Sequence, residues 1–209
     1  MRLTLDHLVY ATPHLAETVA ELTEALGLRA AEGGRHLGFG TRNHLLGLGG
    51  ASYLEIVGPD PEQEAPAEPR PFGIDGLTAA ALVTWAVACP GIDEAVARAR
   101  RHGHDPGEPR TMTRRTPEGD LLRWRLTMPD LLRHDGLVPF LIDWGTTRHP
   151  AAAGLPSAAL LSLGGVHPEP ARVRHDLAAL GAELDLAEGP RPRLTAVLEG
   201  PAGRVTLTG

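Results

Sequence analysis

The chain has 209 residues, of which 42% are hydrophobic, so its composition excludes a disordered protein and allows a substantial core. Its formal net charge of -6 argues against nucleic acid as a partner, and the use of arginine for all 20 basic residues is typical of GC-rich bacterial genes. With no signal-peptide pattern, no apolar run of the ~20 residues that a membrane span needs, and a single cysteine, Cys89, we expect a cytoplasmic protein without membrane association.

A pattern of strand, proline, helix and glycine occurs three times along the chain. The prolines are Pro13, Pro90 and Pro168, so the spacings are 90 − 13 = 77 and 168 − 90 = 78 residues. After the first proline, apolar side chains recur at helical spacing and predict one buried helix face: Leu15, Val19, Leu22 and Leu26. Thr12 and Pro13 are expected at the N-cap and first helical position, and Gly27 at the left-handed end of the helix.

Several short strand-like segments follow each helix, which favours α+β modules over a doubly wound parallel sheet. The third repeat ends on LEGPAGRVTLTG, which matches LGLGGASYLEIVG of the first, and its helix is expected from Pro170 to Leu180. The sequence thus predicts βαβββ modules in tandem, with the third one partial. The predicted bounds are a first module at 1–59, a linker at 60–77, a second module at 78–146, a linker at 147–156 and a third module at 157–209.

Two segments carry a family resemblance. LDHLVYATPHL and GGRHLGFGTRNHLLGLGGASYLEIVGPDP resemble the glyoxalase-like domain group of the vicinal oxygen chelate superfamily, which includes glyoxalases, bleomycin resistance proteins and dioxygenases. The resemblance covers the first module well and the second loosely. It implies paired βαβββ modules that form a curled mixed sheet around a cavity. It also implies a divalent metal there (Fe, Mn, Zn or Ni), with ligands from the first and last strands of each module.

His7 and Glu55 fall where the superfamily places its metal ligands, on the first and last strands of the first module. Strand parity supports this placement, because Leu8 and Tyr10 should face the helix and leave His7 on the cavity side. Leu54 and Ile56 do the same for Glu55, which is also the predicted catalytic proton carrier. The equivalent positions of the other two modules hold residues that do not complete the ligand set: Thr84, Ile142, Ser162 and Thr206.

A third ligand could come from His44. If the turn before Tyr53 has two or four residues, His44 shares a face with Glu55 at the diagonal position. Two histidines and a carboxylate would suit ferrous iron or a similar metal. His36 and His149 are further candidates from loops, although any of these histidines could equally be a surface or hydrogen-bonded residue.

Three residues are expected to contact a substrate: His36, Asn43 and Arg125. Arg125 belongs to a predicted strand at 121–128 in which Arg123 and Arg125 alternate with apolar residues assigned to the core. The two arginines either are solvated or point into the cavity, where they would favour an anionic substrate.

Two functions remain open at this point. One is a metal-dependent lyase, isomerase or dioxygenase that acts on a small oxygenated molecule, which His7 together with Glu55 favours. The other is a metal-free protein that binds and sequesters a small molecule in the same cavity, which Thr84 and Ser162 favour. In both cases the expected partner is a small-molecule ligand, and a homodimer is left open.

Overall fold

The computed structural model describes residues 3–128 and 134–209. Residues 1 and 2 of the predicted first module and 129–133 of the second lie outside the described residues. The first module comprises β1 (Thr4–Ala11), α1 (Leu15–Leu26), β2 (Ala31–His36), β3 (Thr41–Gly47) and β4 (Tyr53–Pro59). The second module comprises β5 (Ala81–Ala88), α2 (Ile92–Arg101), β6 (Glu108–Arg115), β7 (Leu121–Met128) and β8 (Phe140–Asp143). Short 3-10 helices lie in the connections, at Pro71–Gly76 and Pro150–Ala153.

The two modules close into one eight-stranded barrel with the strand order β1-β4-β3-β2-β6-β7-β8-β5. In each module the first strand lies parallel to the last, as β1 does to β4 and β5 to β8. The modules join through antiparallel pairing of β1 with β5 and of β2 with β6, where Arg35 lies opposite Arg115. The predicted α+β fold with a mixed sheet curled around a cavity is confirmed, as is the pairing of β1 with β4.

The third unit forms its own four-stranded sheet outside the barrel. Its elements are β9 (Ala159–His167), α3 (Pro170–Leu180), β10 (Asp185–Glu188), β11 (Arg193–Gly200) and β12 (Gly203–Thr208). The helix lies where the sequence predicts it. The strand order is β10-β9-β11-β12. The first strand, β9, and the last, β12, are therefore not neighbours, which differs from the two barrel modules.

Apolar residues form two clusters because both faces of β1, β4 and β5 are covered. The outer cluster lies between the barrel, the three helices and the second sheet, and includes Leu8, Leu22, Leu54, Trp85 and Leu194. The inner cluster lies inside the barrel and includes Val9, Val57, Ala86, Trp124 and Phe140. Coverage of both faces explains why β4 is buried along nearly its whole length. Among the described residues, no helix is long and apolar enough to cross a membrane.

Helix α1 begins two residues later than the sequence predicts, with His14 rather than Thr12 at the N-cap. The extended chain continues through Thr12, whose N–H donates to the Val57 carbonyl at 2.9 Å. The Thr12 hydroxyl instead accepts from the His14 N–H at 3.0 Å. Gly27, with a φ of 69°, ends the helix in the left-handed conformation as predicted.

Candidate functional site

The barrel interior opens into a cup with a mostly apolar and aromatic lining. Its atom-free space is about 570 Å³, including the part that opens to solvent. A few charged or strongly polar side chains also line it: His7, His36, Asn43, Glu55 and Arg114. An apolar pocket with a few convergent polar groups is the usual composition of a small-molecule site.

His7 and Glu55 meet in this cup. They lie on the neighbouring strands β1 and β4, and the His7 Nε2 atom is 3.7 Å from Glu55 Oε2. Both residues are buried, and the His7 ring stacks on Tyr53 at a centroid distance of 4.8 Å. Strand parity therefore predicts the relative position of these two side chains.

Asp6 fixes the orientation of His7. The pairing of β1 with β5 skips Asp6, and this bulge places its carboxylate where Oδ1 accepts from His7 Nδ1 at 2.7 Å. Its Oδ2 accepts from Trp144 Nε1 and His149 Nε2, each at 3.1 Å. Burial raises the pKa of Asp6, but the hydrogen bonds from His149 and His7 outweigh it and hold the pKa at about 2. The anionic acceptor keeps the His7 proton on Nδ1 and leaves Nε2 for the cup.

His36, at the end of β2, approaches the other oxygen of the same carboxylate. Its Nε2 lies 3.7 Å from Glu55 Oε1, and its Nδ1 is 3.0 Å from the Thr41 hydroxyl. Burial lowers the pKa of His36 to about 4, although Glu55 opposes the shift. The ring is therefore neutral at pH 7, and a proton on Nδ1, shared with Thr41, leaves the Nε2 lone pair available.

Asn43 connects Glu55 to a buried arginine that sequence reasoning missed. The Asn43 Nδ2 donates to Glu55 Oε1 at 2.5 Å, and its Oδ1 accepts from Arg114 Nη1 at 3.2 Å. Gly33 leaves room for this pair, since a Cβ there would lie 2.3 Å from Asn43 Oδ1. Arg114 lies on β6 among other polar residues, and the one sequence signal for its inward face is Met112, two residues earlier.

The structure does not bring His44 to the site, and the predicted register of β3 against β4 is wrong. Gly47 pairs with Tyr53, so the loop at 48–52 has five residues rather than two or four. Leu45 is therefore opposite Glu55, and His44 is opposite Ile56 on the outer face. A one-residue difference in register moves every side chain to the other face, which is also why Asn43 reaches Glu55.

Arg125 also lies outside the cup. Its neighbours Trp124 and Leu126 line the cup, so Arg125 faces outward on β7. Its Nη1 and Nη2 donate to the Asp93 carboxylate of α2 at 2.6 and 2.8 Å. The apolar residues of β7 belong to the core, as predicted, and Trp124 and Leu126 lie in the inner cluster rather than the outer one.

The second module supplies no metal ligand at the positions that match His7 and Glu55. Thr84 lies inside the barrel and donates to the Gly136 carbonyl at 3.4 Å, and Ile142 lines the cup. Within residues 3–128 and 134–209, no group of three or more His, Cys, Asp or Glu side chains has the arrangement of a formed metal site. The two histidine Nε2 atoms of the cup instead approach different oxygens of Glu55.

Two βαβββ modules, each with its first and last strands paired in parallel, surround a cup with a central carboxylate. This arrangement defines a protein of the vicinal oxygen chelate fold. The chain belongs to the glyoxalase-like domain family, whose sequence profile matches residues 5–181.

Solved structures resemble the chain in fold at low sequence identity. A hypothetical protein from Staphylococcus aureus is 12% identical with a TM-score of 0.65, and the match covers 91% of this chain and 88% of that one. The methylmalonyl-CoA epimerase from Mycobacterium tuberculosis is 18% identical with a TM-score of 0.43, over 66% and 86% of the two chains. A Streptomyces coelicolor methylmalonyl-CoA epimerase is 19% identical with a TM-score of 0.45, over 72% and 100%. A comparison with curated protein sequences gives no significant match.

Proposed function

We propose that the protein is an enzyme that acts on a small oxygenated molecule, and that His7, His36 and Glu55 hold a divalent metal in the cup. One observation carries this proposal: two histidine Nε2 atoms each lie 3.7 Å from a different oxygen of one buried carboxylate. Two imidazoles and a carboxylate with open positions suit iron, manganese, zinc or nickel.

The outer partners of this set fit a metal, and its donor spacing is wider than that of a formed site. Ligand atoms that each lie about 2.0–2.2 Å from one ion are roughly 3–3.5 Å apart, so each histidine Nε2, which lies 3.7 Å from a Glu55 oxygen, would have to move closer to bind an ion. Metal-bound histidines usually have the other ring nitrogen fixed by a carboxylate or another polar group. Asp6 does this for His7, and Thr41 is in contact with the His36 Nδ1.

A metal bound there would supply a Lewis acid toward a substrate oxygen, which suits a lyase, isomerase or oxygenase. The other roles would belong to side chains of the protein. Asn43 donates to Oε1 of Glu55 and so orients the carboxylate; to exchange a proton with a bound molecule, Glu55 would use an oxygen that the metal does not occupy. The apolar lining excludes water from that exchange. The proposed location is the cytoplasm, since the one cysteine, Cys89, is buried as a free thiol.

A metal-free binding protein is the second candidate. Thr84 and Ile142 favour it, because the second module then contributes only cavity walls. Under this alternative, Glu55 and the two histidines would form hydrogen bonds to a ligand without any ion.

Metal analysis of protein purified without chelators tests the proposal. We expect about one equivalent of metal per chain in the wild type, and a large loss in His7→Ala, His36→Gln and Glu55→Gln. His44→Gln is the matched control, since it removes a histidine from the outer face of β3 and should retain the metal. A wild type without metal, or variants that all keep it, would reject the metal site and leave the binding protein.

A further inference from the structure

A buried arginine in the cup has no carboxylate partner within residues 3–128 and 134–209. Arg114 is only 4% exposed, and among the described residues it forms no ion pair with Asp or Glu. Its Nη1 donates to the neutral Asn43 side chain, and its Nε has no hydrogen-bond partner in the described part of the chain. A buried guanidinium with an unpaired N–H destabilises the folded protein unless an anion binds to it.

A second unused donor lines the same cup. The Nε1 of Trp124 is buried and has no hydrogen-bond partner among the described residues. Buried indole N–H groups normally find an acceptor. Met112, on the same face of β6 as Arg114, lies directly opposite Trp124 on β7, so Arg114 and Trp124 are diagonal neighbours in the sheet.

Both groups can only donate hydrogen bonds, so the missing partner is an acceptor, and the positive charge of Arg114 favours an anion. The aromatic and aliphatic walls next to them, such as Phe140 and Ile142, fit an apolar body. Glu55 lies in the same cup and would repel a dianion more than a monoanion. A single carboxylate meets these conditions better than a phosphate.

We infer that the ligand of this cup is a small carboxylic acid with an apolar body, whose carboxylate is bound by the guanidinium of Arg114 and the indole N–H of Trp124. The inference rests on the proposal that the cup is the site of function, but it does not need the metal. Arg114 is then the residue that selects an acid over its neutral analogues.

Paired probes test this selection by isothermal titration calorimetry on the whole chain. The probes are benzoate with benzamide, and phenylacetate with phenylacetamide, which differ within each pair by the carboxylate alone. We expect each acid to bind at least about tenfold more tightly than its amide. Arg114→Gln should abolish this preference, and Trp124→Phe should reduce it while keeping the ring. Arg125→Gln removes an outward-facing arginine and should keep it.

Arg114→Lys covers the case in which Arg114→Gln fails to fold. It should retain part of the preference for the acid, because lysine keeps the positive charge but lacks the paired N–H donors of the guanidinium. Equal binding of acid and amide, no binding of any probe, or a preference that survives Arg114→Gln would overturn the inference. The titrations are run on chelator-treated protein and again after loading with Zn²⁺ or Mn²⁺. An Arg114-dependent preference in the chelated protein supports the inference even if the metal site fails, so the two proposals are tested separately.

Discussion

Replacing His36 by glutamine should remove much of the acid sensitivity of the metal-free protein between pH 6.5 and 4. Burial holds the pKa of His36 at about 4, against 6.5 for an exposed histidine. The folded state therefore binds the proton less readily than the unfolded state. The stability associated with neutral His36 is fully present above pH 6.5 and is lost as the pH falls toward 4.

The size of the effect follows from the two pKa values. Proton linkage gives a loss of about 2 kcal/mol at pH 5 and about 3 kcal/mol at pH 4 for the wild type. Glutamine has no proton to bind, but its amide can still contact the Thr41 hydroxyl. At pH 7 the variant should be less stable or equal, and the difference should move in its favour by these amounts on acidification.

Urea unfolding of chelator-treated protein at pH 7, 6, 5 and 4 measures this difference directly. His14→Gln serves as the control, because it removes an exposed histidine and should follow the wild-type curve. Parallel curves for the wild type and His36→Gln would refute the reasoning, since they would mean that the folded protein protonates His36 as easily as the unfolded chain does.

Four further substitutions, one of them a control, test other parts of the structure. Asp6→Asn should lower the free energy of unfolding by about 2 kcal/mol at pH 7, because the pKa of Asp6 is about 2 in the folded protein and 3.8 in an unfolded chain. Urea unfolding should show this difference from the wild type disappear as the pH falls from 4 toward 2. Gly34→Ala should cost about 3 kcal/mol or more, because φ is +134° and its Cβ would lie 2.0 Å from the Arg115 carbonyl oxygen at the β2–β6 junction. Gly38→Ala also has a positive φ but meets nothing within 4 Å, so a smaller loss in the same assay is expected, and equal losses would contradict the steric argument. Arg125→Ala should leave the melting temperature and the metal content nearly unchanged, since its ion pair with α2 is exposed, and a loss of metal would contradict the outward position of Arg125.

Strand parity was enough to place His7 and Glu55 together, because Leu8 next to His7, and Leu54 and Ile56 next to Glu55, must face the outer core. Parity could not place His44, because the result depends on whether the loop before Tyr53 has an even or odd number of residues. The glycine-rich loop at 48–52 gives no signal for five residues over four. The same register brings Asn43 to Glu55, so the substrate-contact prediction for Asn43 and the ligand prediction for His44 could not both hold in one sheet.

The inward position of Arg114 could not be predicted for a different reason. In β7 the alternation of apolar residues with Arg123 and Arg125 correctly separates two faces, but this barrel has an apolar core outside it as well as inside it. The pattern therefore does not say which side is the cavity. In β6, arginines occur on both faces, so periodicity carries little information there, and only the pairing of Met112 with Trp124 identifies the face of Arg114.

Anomalous X-ray scattering from crystals of protein purified without chelators would test the metal site most directly. Data at the absorption edge of the metal found by elemental analysis should show a single strong peak in the cup, within bonding distance of His7 Nε2, His36 Nε2 and a Glu55 oxygen. A cup without a peak, or a peak that lies against other residues, would contradict the proposed metal centre.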